Sequence, residues 1–278
     1  MMKRVLGAAL LAIFLAPARA QEDLNDDIRK LLDEGVTLYK KGLDKQILDK
    51  KDEAGEFFKQ AYSKFEQALN KIDTIPPDKR QMSSNLIYAF MERHLWEDQH
   101  ELYADELGPD LAQKSPYRGQ NANMHCCEAM IAALEATGEP QYLNRALRIA
   151  HRLTVVLASR TQGLLWEHYS ADWQHDFDYN RHDLANKLRP WGYQPGHMAE
   201  WAKLLLAIHR HEPHDWLLPR AQELFDHAMR LGYDREHDGL YYCVAPDGTV
   251  CNDAKYSWVQ AETIAAAAYL ADAMHQGL

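Results

Sequence analysis

The stretch "RPWGYQPGHMAEWAKLLL" (Arg189–Leu206) decides how the rest of the chain is read. Pro195-Gly196 closes one segment, and an amphipathic run then opens a helix at His197. His197 and Glu200 are three apart, so they share one helical face. The pair is either acid–base equipment at the bottom of a pocket or two polar residues in the first turn of an ordinary helix. The 3.6-residue period returns over Ala122–Thr137, Tyr142–Ser159, Met198–His211, Leu217–Gly232 and Ser257–His275. Between these runs lie short aromatic, strand-like pieces: "EDQHELYADE" (Glu97–Glu106), "RTQGLLWEHY" (Arg160–Tyr169) and "REHDGLYYCV" (Arg235–Val244). Helix pairs with long aromatic loops on one side predict an all-α chain, as an α/α toroid or an irregular helical bundle. The last run, with "ETIAAAAYLADAM", is apolar on most sides and is expected to be buried.

The chain has 278 residues, 46% of them hydrophobic, which is enough for a sizeable core. Its net charge of −10 argues against sequence-independent nucleic-acid binding, which needs a basic face. "MMKR" (Met1–Arg4), the apolar "VLGAALLAIFLA" (Val5–Ala16) and "ARA" (Ala18–Ala20) read as a secretory signal peptide cut after Ala20. The apolar run is too short to span a bilayer. Cleavage leaves 28 basic and 41 acidic side chains, a net charge of −13. The mature product is expected to be periplasmic or secreted and away from the membrane.

Residues 21–83 form a charged helical arm. "EGVTLYKKG" (Glu34–Gly42) and "AYSKFEQALNKIDTIPP" (Ala61–Pro77) look like the two helices of a tetratricopeptide repeat, with small residues at the crossing and Pro at the end. A charged insert, "LDKQILDKKDEAGEFFK" (Leu43–Lys59), lies between them. A generic helical hairpin or coiled arm fits equally. Residues 84–278 make up the second domain.

"YRGQNANMHCCEAM" (Tyr117–Met130) sets Asn121 and His125 on one face, with Arg118-Gly119 just before the helix. A capping Asn beside a packed His is the plainer account. "WEHYSADWQHDFDYNRHD" (Trp166–Asp183) interleaves carboxylates and aromatics, which suits polyhydroxylated ligands or a loop with buried aromatic anchors. "KYSWVQAE" (Lys255–Glu262) puts Trp258 and Glu262 on one face. His209, His211 and His214 match no standard metal spacing and are expected at the surface. Adjacent Cys126 and Cys127 read as small buried residues. A turn at Pro246-Asp247-Gly248 would pair Ala245 with Thr249 and Cys243 with Cys251, as a disulfide or a reduced pair. No nucleophile elbow, Walker loop or dinucleotide fingerprint occurs. A hydrolase with paired carboxylates stays open.

Taken in order, "YRGQNANMH", "WEHYSADW", "RPWGYQPGHMAEWAKLLL", "WLLPRAQELFD" and "APDGTVCNDAKYSWVQAE" resemble the N-acylglucosamine 2-epimerase family, closest to its mannose isomerase branch. The resemblance spans about residues 91–274. It implies an (α/α)6 barrel with a sugar bound at one end, and aldose–ketose isomerisation through a cis-enediol without metal or redox cofactor. By motif match, His197 would be the acid–base residue and Glu200 the carboxylate that orients its ring. Arg189, Asn121 and His125 would hold sugar oxygens, and Trp258 and Glu262 would line the pocket. The family's second catalytic His, in a stretch resembling "TDYHTMG", and its early Arg have no match here; His275 in "DAMHQGL" does not fit. The matched part supplies about half the helical hairpins, so an incomplete toroid covered by a homodimer is expected. An inactive sugar-binding or scaffold protein of the cell envelope is the alternative to an isomerase or epimerase.

Overall fold

The computed structural model describes residues 26–47, 50–72, 77–108, 113–184, 186 and 189–275, so the signal-peptide reading of Met1–Ala20 lies outside the described residues. Two compact units result: Met1–Arg93 with Glu135–Gly138, and His94–Leu134 with Glu139–Leu278. Among the described residues no helix is long and apolar enough to cross a membrane.

In the first unit, α1 (Asp26–Ile47) and α2 (Lys51–Ile72) form an antiparallel hairpin, followed by α3 (Pro77–His94). Gly35 and Gly42 on α1, and Ala54 and Ala61 on α2, are buried at heptad spacing. Small side chains there let the two backbones approach closely. Lys71–Asp27, Lys64–Glu34 and Lys45–Glu53 ion pairs tie the rims. Each is exposed to solvent, where water and salt screen the attraction and side-chain ordering offsets most of the gain. The charged stretch Leu43–Lys59, expected as an insert between two helices, is mostly helix itself: it extends α1 to Ile47 and starts α2 at Lys51. Its Lys, Glu and Ala content favours helix over loop.

The second unit is built on α4 (Gln120–Thr137), α5 (Pro140–His151), α6 (Pro195–His211), α7 (Leu217–Gly232) and α8 (Ser257–His275), with α6 packed between α7 and α8. Trp166, Trp173, Trp201, Met124, Ile149 and Leu205 are sealed in its core. The aromatic pieces form three antiparallel two-stranded ladders: β1 (Trp96–Glu97) with β2 (Leu102–Tyr103), β3 (Arg118–Gly119) with β4 (His168–Tyr169), and β5 (Cys243–Val244) with β6 (Val250–Asn252). Buried side chains fix them in place. Asn123 accepts from Tyr103 N–H at 2.8 Å and donates to Tyr103 C=O at 2.8 Å, as a neighbouring strand would. Arg118 makes a two-pronged ion pair with Glu97, at 2.8 Å for each bond.

Three expectations are corrected. The helix starting at Tyr142 does not run regularly to Ser159. After His151 it widens to a π turn over Arg152–Leu157 and tightens to a 3-10 turn over Ala158–Thr161. Thr154 donates to the Ala150 carbonyl at 2.7 Å within a β-branched run, which disturbs the ladder. Helix α6 begins at Pro195, not His197, because Pro at the first helical position needs no N–H partner. Helix α8 is not enclosed: Val259, Ala266, Leu270 and Ala273 are buried on one face, while Ile264 is 70% and Met274 67% exposed. An Ala-rich helix has no polar face to mark which side is covered, so its pattern overstated its burial.

Candidate functional site: a His–carboxylate cluster under a Trp ring

Gln120, Glu167, His197 and Trp201 meet at the N-terminal ends of α4 and α6. The β3–β4 pairing brings Gln120 against Glu167, with a backbone bond from Gln120 N–H to Glu167 C=O at 3.1 Å. Trp201 Nε1 donates to Gln120 Oε1 at 2.7 Å, which fixes the amide nitrogen on the other side. That nitrogen donates to Glu167 Oε2 at 2.9 Å. His197 Nδ1 lies 2.9 Å from the same oxygen. Glu167 is 2% exposed and His197 7%. Gln120 Nε2 also lies 2.9 Å from Nδ1, but its hydrogen is already given to Glu167 Oε2. A carboxylate accepts only, so the Nδ1 proton points to Glu167 and Nε2 is the basic nitrogen. The imidazole is thereby set as a base. Glu167 Oε1 is fully buried and has no hydrogen-bond partner among the described residues.

The Trp258 ring sits 5.2 Å from the His197 ring, tilted by 34°. Gly196 makes this approach possible: a Cβ there would meet Trp258 Cη2 and Val259 Cγ2 at 2.9 Å. An aromatic face beside a base suits the C–H side of a sugar ring.

One turn along α6, Glu200 is 6% exposed. Burial raises its carboxyl above the usual range; His125, His197 and Lys203 pull it down and Glu262 pushes it up. Lys203, also buried, pairs with Glu262 at 2.5 Å and with Glu128 at 3.7 Å. Burial pulls its ammonium pKa down, but Glu200 first, then Glu262 and Glu128, hold it above the usual range. His125, Glu128 and Glu200 each offer a ligand atom, all within 4.8 Å of one another. A metal ion there would face the Lys203 ammonium, which already supplies the cation for these carboxylates.

A second patch lies on the other side of β4, since neighbouring strand residues face opposite ways. His168 Nε2 lies 2.8 Å from Pro190 C=O and donates to it, so Nδ1 accepts from the Tyr117 hydroxyl at 2.9 Å. Burial lowers the His168 pKa. The Arg189 guanidinium stacks 3.9 Å from the Tyr117 ring centroid, donates to the Tyr179 hydroxyl at 3.3 Å and pairs with Glu106. Asp105 accepts from Gly119 N–H at 2.7 Å, and burial raises its carboxyl to about 7.

Of the residues read from sequence, His197, Glu200, His125, Glu262 and Trp258 gather in the first cluster. Arg189 belongs to the second patch, and Asn121 is exposed on the first turn of α4. The orienting role given to Glu200 is corrected: Glu167 hydrogen-bonds the His197 ring, because the residue just before β4 is held against Gln120 and reaches Nδ1, while Glu200 stands a turn further along. His209 is corrected too, being buried where a surface position was expected. Glu167, Gln120, Trp201 and Lys203 escaped sequence reading. Glu167 lay within the aromatic and acidic stretch, but only strand pairing singles it out.

Comparisons with known proteins agree on a single family. The model of the N-acylglucosamine 2-epimerase family matches residues 13–276. The D-mannose isomerase of Marinomonas mediterranea is 51% identical over 181 residues, 65% of this chain and 46% of that protein. A crystal structure of a D-mannose isomerase superposes with a TM-score of 0.68 at 46% identity, over 72% of this chain and 53% of that one. The cellobiose 2-epimerase of Bacillus thermoamylovorans, 12% identical, shares the fold with a TM-score of 0.53 over 70% of this chain and 53% of its own. The chain spans about half the length of the curated relatives it matches.

Proposed function

The chain belongs to the N-acylglucosamine 2-epimerase family, and from that premise we propose that His197 is the base of an aldose–ketose isomerase acting on mannose-type sugars. His197 Nε2 takes the proton from C2 of the open-chain aldose, the oxygen protons shift, and a cis-enediol forms. Return of the proton to C1 gives the ketose; return to C2 from the other face would give the epimer. Glu167 holds Nδ1–H and stabilises the imidazolium while it lasts. Glu200, with its carboxyl raised by burial, and His125 serve the sugar hydroxyls. Trp258 carries the sugar ring's C–H face, and Arg189 binds oxygens at the far end. The hydrogen bond between buried Glu167 and His197 carries this reading, because a packed core His has no need of a carboxylate in that position. The D-mannose isomerase relatives support the substrate class. Export to the periplasm or beyond, read from Met1–Ala20, belongs to the same proposal. Incubating the purified chain with mannose tests it: fructose forms with the unaltered chain and not with His197→Ala. No fructose from a folded, unaltered chain overturns it.

A further inference from the structure

The hairpin β5–β6 presents two thiols that the sugar site does not use. Its turn is as expected, with Ala245 N–H bonded to Thr249 C=O at 2.8 Å. The register is not: Cys243 pairs with Asn252 and Val244 with Val250, leaving Cys251 as the extra residue of a β-bulge. The bulge turns Cys251 inward, and its sulfur lies 2.6 Å from that of Cys243. The two thiols are unbonded and in direct contact, so a bond between them needs no backbone rearrangement. The Trp191 carbonyl oxygen lies 2.6 Å from Cys243 Sγ and 3.4 Å from Cys251 Sγ. Gly192, at φ 110°, has room for no side chain: a Cβ would meet Val244 O at 2.7 Å and Cys243 Sγ at 2.8 Å. Tyr193 then exchanges two backbone bonds with Val244, at 2.8 and 2.9 Å, immediately before α6 and His197.

We propose that Cys243 and Cys251 are a thiol–disulfide modification site, oxidised by a low-molecular-weight disulfide to an intrachain bond that locks the hairpin and steadies the Trp191–Tyr193 segment. Cys251 attacks first. It is the more exposed sulfur, and its contact with Cys243 holds its thiol below the usual range, while that contact and burial push Cys243 up. The Cys251 thiolate displaces one glutathione thiolate from oxidised glutathione. The Cys243 thiolate then attacks the Cys251 sulfur of the mixed disulfide and expels the second. Two cysteine thiols lose two electrons, glutathione disulfide gains them, and two protons pass to the released thiols. Cys127, buried on α4, is the internal control, its thiol pushed up by burial; Cys126, expected to be buried, is half-buried.

The proposal does not rest on the sugar reading. The test is peptide mass mapping after native incubation with oxidised glutathione and acid quenching. The unaltered chain yields a Cys243–Cys251 linked peptide lighter by two hydrogens. Cys243→Ser traps glutathione on Cys251, and Cys251→Ser stays unmodified at Cys243. The linked form melts at a higher temperature than the reduced form. Absence of the linked peptide from the unaltered chain, which no folding defect of a variant could explain, overturns the proposal. So does reaction of Cys251→Ser as fast as the unaltered chain, or equal melting of the two forms.

Discussion

The His197 Nδ1 atom stands 2.9 Å from Glu167 Oε2, and Gln120 Nε2 reaches the same oxygen at the same distance. A single carboxylate oxygen thus sets both the ring and the amide beside it. Glu167→Gln keeps the shape and removes the charge. The amide can then meet Nδ1 with an N–H and favour the tautomer protonated at Nε2. We expect kcat to fall by about 10²- to 10⁴-fold with KM nearly unchanged and circular dichroism intact. Steady-state kinetics of mannose conversion checks this.

Gly196 and Trp258 form a second testable contact. Gly196→Ala pushes a methyl carbon into the indole at 2.9 Å and drives Trp258 from the His197 ring. Trp258→Ala removes the ring altogether. Both variants are expected to raise KM for the sugar about tenfold, equivalent to about 1.4 kcal/mol. An unchanged KM in Trp258→Ala would remove the ring from the binding surface.

Lys203 is the cation that lets Glu128, Glu200 and Glu262 share one region. Lys203→Met fills the volume but leaves those carboxylates facing one another. A loss of about 3 kcal/mol is expected, the cost of breaking a buried pair from one side. Urea unfolding of this variant measures it. Adding Glu262→Gln to it should recover part of the loss, since one unpaired charge is then gone.

Asp105 gives stability a pH dependence. Its folded pKa is about 7 against 3.8 for the free side chain. Below 3.8 the carboxyl is protonated in both states. Between the two values the folded state holds a proton that the unfolded state releases, so stability falls as pH rises through this window. Above about 7 the loss is complete. The Gly119 N–H, then Arg189 and Arg118, oppose the shift, and Glu106 adds to it. Asp105→Asn keeps the acceptor for Gly119 N–H and removes the titration. Its urea midpoint should decline less between pH 4 and about 7 than that of the unaltered chain.

Much of the fold was legible because its helices carry a 3.6-residue period; the range read for α7, Leu217–Gly232, is the range observed. Proline and glycine chemistry marked the start of α6 to within two residues. The candidate site was legible only where its members lie on one helix. His197 with Glu200 could be read by spacing. Glu167 could not, since it reaches His197 across 30 residues through a two-residue strand pairing. The bulge at Cys251 escaped for a related reason: residue alternation gives strand faces, and a bulge changes the count without changing the pattern.

The most direct measurement follows the C2 proton of mannose by 1H NMR in D2O with the purified chain. If His197 abstracts that proton, the C2 signal decays as solvent deuterium enters and fructose resonances grow. Glu167→Gln should slow both processes, and His197→Ala should stop them. A C2 signal that persists at full intensity in the presence of folded, unaltered chain would contradict the assignment of His197 as the base.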